Sequence, residues 1–202
     1  SGLPGTGKST LVAKLKEIYK WPMLSVGDLW RARWANLCPD KEISFEEYWR
    51  TTSSEDNRQV NVDFREQATK NHLIGDCRYT VYLKDLPVFL VFLTADLNIR
   101  AKRGVGLAKY NGNGEKEIKE ILYRREADEV AASKRLFGYD YRDPANYHLV
   151  LNTAMLSQEE EIAVTVVAVE QLSPFPDEDV RAAVGKSTRV VAVEEGPSGW
   201  GF

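Results

Sequence analysis

The spacing of apolar residues predicts the first elements of this chain. Leu11, Val12, Leu15 and Ile18 recur at intervals typical of one face of an amphipathic helix. Residues 88–93 form an uninterrupted apolar run, rich in β-branched and aromatic side chains, which is typical of a buried strand. The two patterns predict a helix close to the start of the chain and a buried strand near its middle.

Helical and strand-like patterns alternate along most of the remaining sequence. Further helices are predicted at residues 29–37, 44–50, 58–70, 97–103, 115–136 and 157–172. Short strands are predicted at residues 23–26 and 148–151, with a brief apolar step at 73–74 and a turn at Gly27-Asp28. Strands that alternate with helices predict a parallel sheet covered on both faces, and therefore a three-layer α/β fold.

The composition narrows the classes of partner. The chain has 202 residues, of which 43% are hydrophobic and 28% charged, as expected for one globular domain with a sizeable core. A formal net charge of −3 provides no global basic field for a nucleic acid. No apolar run approaches the roughly 20 residues of a membrane-spanning helix. Cys38 and Cys77 form neither a disulfide framework nor a zinc motif, so we expect a protein of the reducing cytoplasm.

A glycine-rich segment with the Walker A spacing, Gly2-x-x-x-x-Gly7-Lys8-Ser9, opens the chain directly before the first predicted helix. Glycines let the backbone wrap a phosphate, and the helix N-terminus presents amide groups to the anion. In this motif Lys8 reaches the β- and γ-phosphates, and Ser9 ligates Mg²⁺. The predicted ATP-binding residues are Gly2, Gly5, Thr6, Gly7, Lys8, Ser9 and Thr10.

The position of this motif affects the expected fold. In P-loop folds the strand that directly precedes the phosphate-binding loop lies inside the sheet. In this chain that strand would have to precede Ser1. We therefore expect a P-loop NTPase fold whose first strand is missing from the chain. The domain is predicted to span residues 1–172, and residues 173–202 are predicted to be a linker and tail, or the start of another module.

Two pairs of charged residues follow predicted strands. Asp28 and Arg31 come after one strand, and Asp76 and Arg78 come after another. Since ligands bind at the carboxyl ends of parallel strands, both pairs are candidates for contact with a second substrate. Alternatively, Asp28 caps a turn or helix, and Arg31 belongs to a solvated helix face.

Several segments resemble cytidylate kinases, particularly the short archaeal-like type. Besides the loop, the matching segments are residues 25–31, 76–78, 93–103, 125–126, 137–140 and 147–153. Together they cover about residues 1–172. The resemblance implies transfer of a phosphoryl group from ATP, with Mg²⁺, to a nucleoside monophosphate, with CMP or dCMP as the favoured acceptor. Its partners would be small-molecule nucleotides, and we expect a monomer.

The resemblance also implies roles for the charged residues on the acceptor side. Arg31 and Arg78 would clamp the monophosphate, because a guanidinium fork suits a phosphate. Asp28 and Asp76 would contact the base or the sugar, or hold those arginines. Asp76 is also open to a role with Mg²⁺ through water.

A helical lid forms the other side of the implied site. Arg103 and Arg125 would approach the transferring phosphoryl group from this lid, whose mobile hinge would lie in the glycine-rich residues 104–114. Similar proteins carry two further arginines and a tyrosine where this chain has Val130, Ala132 and Ser133. Alternatively, Arg103 and Arg125 are surface charges of their helices.

Two other functions remain open at this point. The chain could be a kinase for another small acceptor, such as a different nucleotide or a nucleoside. It could also be an ATP-binding module with little or no transfer activity that regulates a partner domain. The altered lid positions favour such a module, whereas the complete loop motif and Arg78 favour a kinase.

The loop motif makes a direct prediction about Lys8. Truncation of this side chain at Cβ, Lys8→Ala, is expected to abolish ATP binding, because the β- and γ-phosphates lose their contacting cation. Isothermal titration of ATP into the wild type and the variant measures the effect. An unchanged affinity in the variant would contradict the assignment of the loop.

Overall fold

The computed structural model describes residues 1–40, 42–70, 73–86, 88–110 and 112–170. The predicted linker and tail at 173–202 and the end of the last predicted helix, residues 171–172, lie outside this part of the chain. A membrane-crossing helix, long and apolar throughout, is absent from the residues that the structure describes.

Helices and parallel strands alternate as the sequence pattern predicts. The strands are β1 (Met23–Ser25), β2 (Ile74–Asp76), β3 (Val91–Thr94) and β4 (Leu149–Asn152). The helices are α1 (Lys8–Tyr19), α2 (Val26–Leu37), α3 (Phe45–Thr51), α4 (Ser54–Lys70), α5 (Leu97–Gly104), α6 (Glu115–Phe137) and α7 (Gln158–Glu170). Each helix that the apolar spacing predicted is thereby confirmed, within the residues described.

The strands form two parallel pairs. β1 pairs with β2 in the register Met23↔Ile74, and β3 pairs with β4 in the register Val91↔Leu149. Residues 1–3 lie alongside β3, where Leu93 donates its amide to the Ser1 carbonyl at 3.1 Å. The arrangement confirms a parallel α/β sheet.

The start of the phosphate-binding loop contacts both strand pairs. Gly2 lies against β3, and the hydroxyl of Ser1 donates to the Arg78 carbonyl just after β2, at 2.8 Å. Gly2 has φ +150°, and a Cβ there would come 2.6 Å from the Leu93 carbonyl oxygen. Only glycine fits this contact, which positions the loop beside the carboxyl ends of β2 and β3.

Helices cover both faces of the β3–β4 pair. Leu93 points to one face, where it packs with Leu11 of α1 and next to α7. Its neighbour Phe92 points to the opposite face, where it packs with Tyr141 and with Val130 of α6. Because successive side chains of a strand alternate, one strand contributes to both apolar layers. The three-layer prediction is confirmed.

Two local predictions are wrong in detail. β3 begins at Val91, so the apolar residues 88–90 precede the strand rather than belong to it. Gly27 and Asp28 lie in the first turn of α2 instead of a separate turn. The segment 104–114, where the hinge of the lid remains a prediction, contains a short 3₁₀ helix, Ala108–Tyr110, and Tyr110 is buried against α6. Glycine content alone did not indicate that anchor.

Helix α4 also begins earlier than predicted, at Ser54 rather than residue 58. Ser53 and Asp56 exchange hydrogen bonds at its start: the Ser53 amide donates to Asp56, and the Asp56 amide donates to the Ser53 hydroxyl. This reciprocal cap satisfies amide groups that would otherwise lack a helical partner. The sequence signal for it, Ser-x-x-Asp, was present.

The close packing of α5 on α6 predicts the effect of a single added methyl group. In Gly104→Ala the new Cβ would lie 2.8 Å from Ile118 Cγ2 and 2.9 Å from Tyr110 Cε2. We expect a loss of about 1–3 kcal/mol in the free energy of unfolding, measured by urea denaturation. The exposed Lys116→Ala on α6 is the control and should change it little. An unchanged midpoint for Gly104→Ala would contradict this packing.

Candidate active site

The glycine-rich loop curls around the start of α1. Gly5 and Gly7 have φ +85° and +91°, in the left-handed region that favours glycine, and Gly7 caps α1. The Thr6 hydroxyl donates to the Leu3 carbonyl at 2.8 Å and braces the turn. A Cβ at Gly7 would meet nothing within 4 Å, so space remains in front of the helix N-terminus for an anion.

Lys8 folds back over the loop. Its Nζ donates to the carbonyls of Gly2 and Leu3 at 2.8 and 2.9 Å. Burial, and after it the nearby charge of Arg78, lower the pKa of Lys8 to about 8, while Asp76 acts in the opposite direction. The ammonium therefore lies within electrostatic range of Asp76, the last residue of β2, and of Arg78 just after the strand.

Ser9 and Thr10 lie exposed at the start of α1. Within the described residues, no group of three or more His, Cys, Asp or Glu side chains could hold a metal ion. Mg²⁺ usually takes one or two protein oxygens and completes its shell with water and substrate phosphates. One exposed hydroxyl beside a phosphate-binding loop fits that pattern, so Ser9 stays the predicted metal ligand.

A buried carboxylate joins two of the predicted arginines. Glu129 Oε1 accepts Arg78 Nη2 at 2.9 Å and Arg125 Nε at 2.8 Å. Its Oε2 accepts the Tyr141 hydroxyl at 3.0 Å. Lys8 lies within electrostatic range of Arg78, Arg125 and Glu129. Residues far apart in the sequence therefore meet at one place beside the loop.

Asp28 and Arg31 pair with each other on α2. Arg31 Nη2 donates to Asp28 Oδ1 at 2.6 Å, and both side chains are more than half exposed. Within the residues described, neither side chain contacts Lys8 or Glu129. Their contact with a second substrate therefore stays a prediction. The ion pair is in keeping with the predicted alternative in which Asp28 holds Arg31.

Arg103 points elsewhere. It donates to the hydroxyl and carbonyl of Thr153, just after β4, at 2.8 and 2.6 Å. Glu161 of α7 lies close to it, and burial raises the pKa of that carboxyl to about 7. The structure therefore does not bring Arg103 into contact with Arg78 or Arg125, among the described residues. Its predicted approach to the transferring group is untested.

Sequence reasoning missed a second ion pair that reaches the loop. Arg100 is buried, and its guanidinium donates to the carbonyls of Ala95 and Pro4 and to Glu126 Oε2 at 2.8 Å. The pair ties the loop backbone to α6. For Glu129 the signal was its spacing of four residues from Arg125; Arg100 gave none, because its partners are distant in sequence.

Two of the positions at which this chain differs from similar proteins, Val130 and Ser133, contact the interior of the domain. Val130 packs with the apolar cluster of Phe92 and Tyr141. Ser133 is fully buried and donates its hydroxyl to the Tyr139 carbonyl at 2.7 Å. These positions of α6 therefore contribute packing and a backbone hydrogen bond instead of the positive charge that the resemblance implies there.

The chain is similar to known proteins over most of its length. The family model described as "Cytidylate kinase-like family" matches residues 40–155. A cytidylate kinase from Methanopyrus kandleri is 26% identical over 185 residues, which cover 85% of this chain and 91% of the relative. One from Pyrococcus horikoshii is 27% identical over 179 residues, which cover 88% of this chain and 90% of the relative.

A solved structure supports the fold. The crystal structure of an uncharacterized protein from Eubacterium ventriosum superposes with a TM-score of 0.63 at 14% sequence identity. The match covers 84% of this chain and 95% of that chain. At this identity the likeness extends to the fold alone, which it shares over nearly the full length of the solved protein.

The lowered pKa of Lys8 predicts how phosphate binding depends on pH. Its charged form is present below about pH 8 and is lost above it, so binding an anion at higher pH requires proton uptake. We expect the Kd for ADP to change little between about pH 7 and 8, above the ionisation of the ADP phosphate, and then to weaken by up to about tenfold per pH unit. Isothermal titration measures it.

The control for this experiment is Lys8→Met, which keeps the length of the side chain but has no titrating group. Its ADP binding should be weak and should vary little between about pH 7.5 and 9.5. A wild-type Kd that stays constant throughout that interval would show that the protonation of Lys8 does not govern anion binding.

Proposed function

The chain belongs to the cytidylate kinase-like family and is a nucleoside monophosphate kinase, and from this premise we propose that it transfers the γ-phosphate of ATP to CMP or dCMP. The products are ADP and the cytidine or deoxycytidine diphosphate. We further propose that residues 1–172 form the kinase domain and that it acts as a monomer in the cytoplasm.

The convergence of three cations beside the loop carries the proposal. Lys8, Arg78 and Arg125 come from the loop, the end of β2 and α6, and they lie within electrostatic range of one another. Phosphoryl transfer needs charge stabilisation and positioning more than a strong base. The acceptor phosphate already carries an ionised oxygen at neutral pH, so no residue has to remove a proton from it.

The donor nucleotide binds at the loop. The amides at the start of α1 and the ammonium of Lys8 contact its phosphates, which requires Lys8 Nζ to leave the carbonyls of Gly2 and Leu3. Ser9 holds the Mg²⁺, which neutralises charge on the phosphate chain when it is bound. Arg100 keeps the loop backbone in place through its hydrogen bond to Pro4.

The acceptor nucleotide binds on the side of β2. Arg78 lies next to the loop, so a monophosphate bound there places one oxygen in line with the γ-phosphorus of ATP. That oxygen forms the new bond to phosphorus while the bond to the bridging β–γ oxygen breaks, and ADP takes the electron pair. Arg31 and Asp28 on α2 are proposed to contact the same nucleotide, and Asp76 to hold Arg78 or the sugar.

A nucleotide-binding module without transfer activity is the second candidate. The observation that favours it is the use of Val130 and Ser133 for packing, since an arginine near the transferring group can contribute roughly 10³-fold or more to the rate. Arg78 and Arg125 favour the kinase, because both bind the buried carboxylate of Glu129 and lie within electrostatic range of Lys8 in the loop.

A coupled ADP-release assay tests the function. ATP and Mg²⁺ are supplied with CMP, dCMP, UMP, AMP or GMP, and CMP or dCMP should give the highest turnover. Arg78→Ala and Arg125→Ala should reduce kcat by roughly 10²- to 10³-fold, because each removes a donor to the transferring charge. Arg124→Ala is the matched control, since Arg124 neighbours Arg125 on α6 but is 79% exposed.

Three results would decide between the candidates. Turnover that depends on a cytidine monophosphate and is lost in both active-site variants establishes the kinase. Turnover with a different acceptor overturns the cytidine preference. Binding of ATP with no turnover for any of the five acceptors favours the nucleotide-binding module.

A further inference from the structure

Glu129 lies near the middle of α6 and contacts neither nucleotide in the function set out above. We propose that Glu129 is a positioning residue, which holds Arg78 and Arg125 in the orientation that phosphoryl transfer requires. The inference rests on the proposed function, because it gives Glu129 a role in that reaction. It adds a buried carboxylate beside the three cations Lys8, Arg78 and Arg125.

The contacts of Glu129 divide its carboxylate between two tasks. Oε1 accepts both arginines, Arg78 at 2.9 Å and Arg125 at 2.8 Å. Oε2 accepts the hydroxyl of Tyr141, which is itself fully buried in the apolar layer beneath the site. The Tyr79 hydroxyl also donates to the Glu129 backbone carbonyl, at 3.3 Å. Tyr141 therefore holds the carboxylate in place through Oε2, on the side of the apolar layer, and Oε1 binds both arginines.

The arginines are held at the boundary between core and solvent. The Glu129 side chain is 5% exposed, whereas Arg78 is 30% and Arg125 is 52% exposed. Without the carboxylate both guanidinium groups would repel each other and Lys8, and both could turn toward water. Loss of the charge is therefore expected to change the direction of the arginines rather than to open the core.

The hydrogen-bond geometry leaves donors for phosphate. Arg125 binds Glu129 through Nε, and its two terminal nitrogens form no hydrogen bond or ion pair with another described residue. A guanidinium carries five N–H groups, so one edge can hold a carboxylate while another binds a phosphoryl oxygen. Glu129 therefore does not compete with the phosphate, and its bonds can persist through the transfer. Donors fixed in advance in this way stabilise developing charge without reorganisation.

The test removes the negative charge of Glu129 and keeps the shape of its side chain. In Glu129→Gln the amide oxygen can still accept a hydrogen bond, but the ionic hold on both arginines is lost. We expect kcat to fall by roughly 10- to 100-fold, the effect of a small misplacement of a reacting group. The KM for ATP should stay within about threefold, because the loop still binds the donor.

Glu120→Gln is the matched control. Glu120 and Arg124 are also four residues apart on this helix, but they are 4.0 Å from each other and both side chains are more than half exposed. Its kcat should equal that of the wild type. Tyr141→Phe removes the neutral hydrogen bond to Oε2 and keeps the charge, and it should lower kcat less than Glu129→Gln does.

Melting temperatures separate a positioning role from a structural one. A purely structural Glu129 would lower the melting temperature and leave kcat per folded molecule unchanged. If Glu129→Gln does not fold, Glu129→Asp takes its place: it retains the charge but is one methylene too short to reach both arginines. We then expect Glu129→Asp to fold and to lose kcat at nearly constant KM for ATP.

The outcomes distinguish this inference from the proposed function. An active wild type with an unaffected kcat in the folded Glu129 variant overturns the role of Glu129 and leaves the kinase assignment intact. A wild type without turnover for any nucleoside monophosphate overturns both. A selective loss of kcat in the Glu129 variant, with Glu120→Gln unaffected, supports the inference.

Discussion

The fold has to hold three positive charges close together before any nucleotide arrives. The lowered pKa of Lys8 reflects that strain, because burial and the charge of Arg78 both disfavour its ammonium form. The carboxylate of Glu129 offsets the repulsion and is itself costly to bury, so it needs all of its donors. The hydrogen bonds that satisfy this buried charge join the residue after β2 to α6, beside the loop.

A second carboxylate from the same turn of α6 performs a comparable task for the loop backbone. Glu126 accepts Arg100, whose guanidinium also binds the Pro4 carbonyl, and it accepts Arg142 on its other oxygen. Because Glu126 and Glu129 are three residues apart, one helical turn directs both toward the sheet. The position of α6 is therefore coupled electrostatically to the loop as well as to the arginine after β2.

Local signals in the sequence predicted the elements of this fold, and tertiary contacts decided the rest. The Walker A spacing indicated the loop, and the apolar periodicity predicted each helix, because these signals depend on neighbours within a few residues. The start of β3 at Val91 could not be read from an apolar run that continues on both sides of it. Arg100 and Tyr141 were missed because their roles come from partners that are distant in the sequence.

The altered face of α6 and the buried carboxylate belong to one arrangement. Val130 and Ser133 pack against the aromatic segment that contains Tyr139 and Tyr141, and Tyr141 in turn fixes the orientation of Glu129. A cation at the fully buried position of Ser133 would have to be buried in that layer, at a large desolvation cost. The helix thus contributes packing at these positions and holds Arg78 and Arg125 through Glu129. In the proposed reaction, the two arginines stabilise the transferred group only in the right orientation, so the proposed role of Glu129 is to fix that orientation.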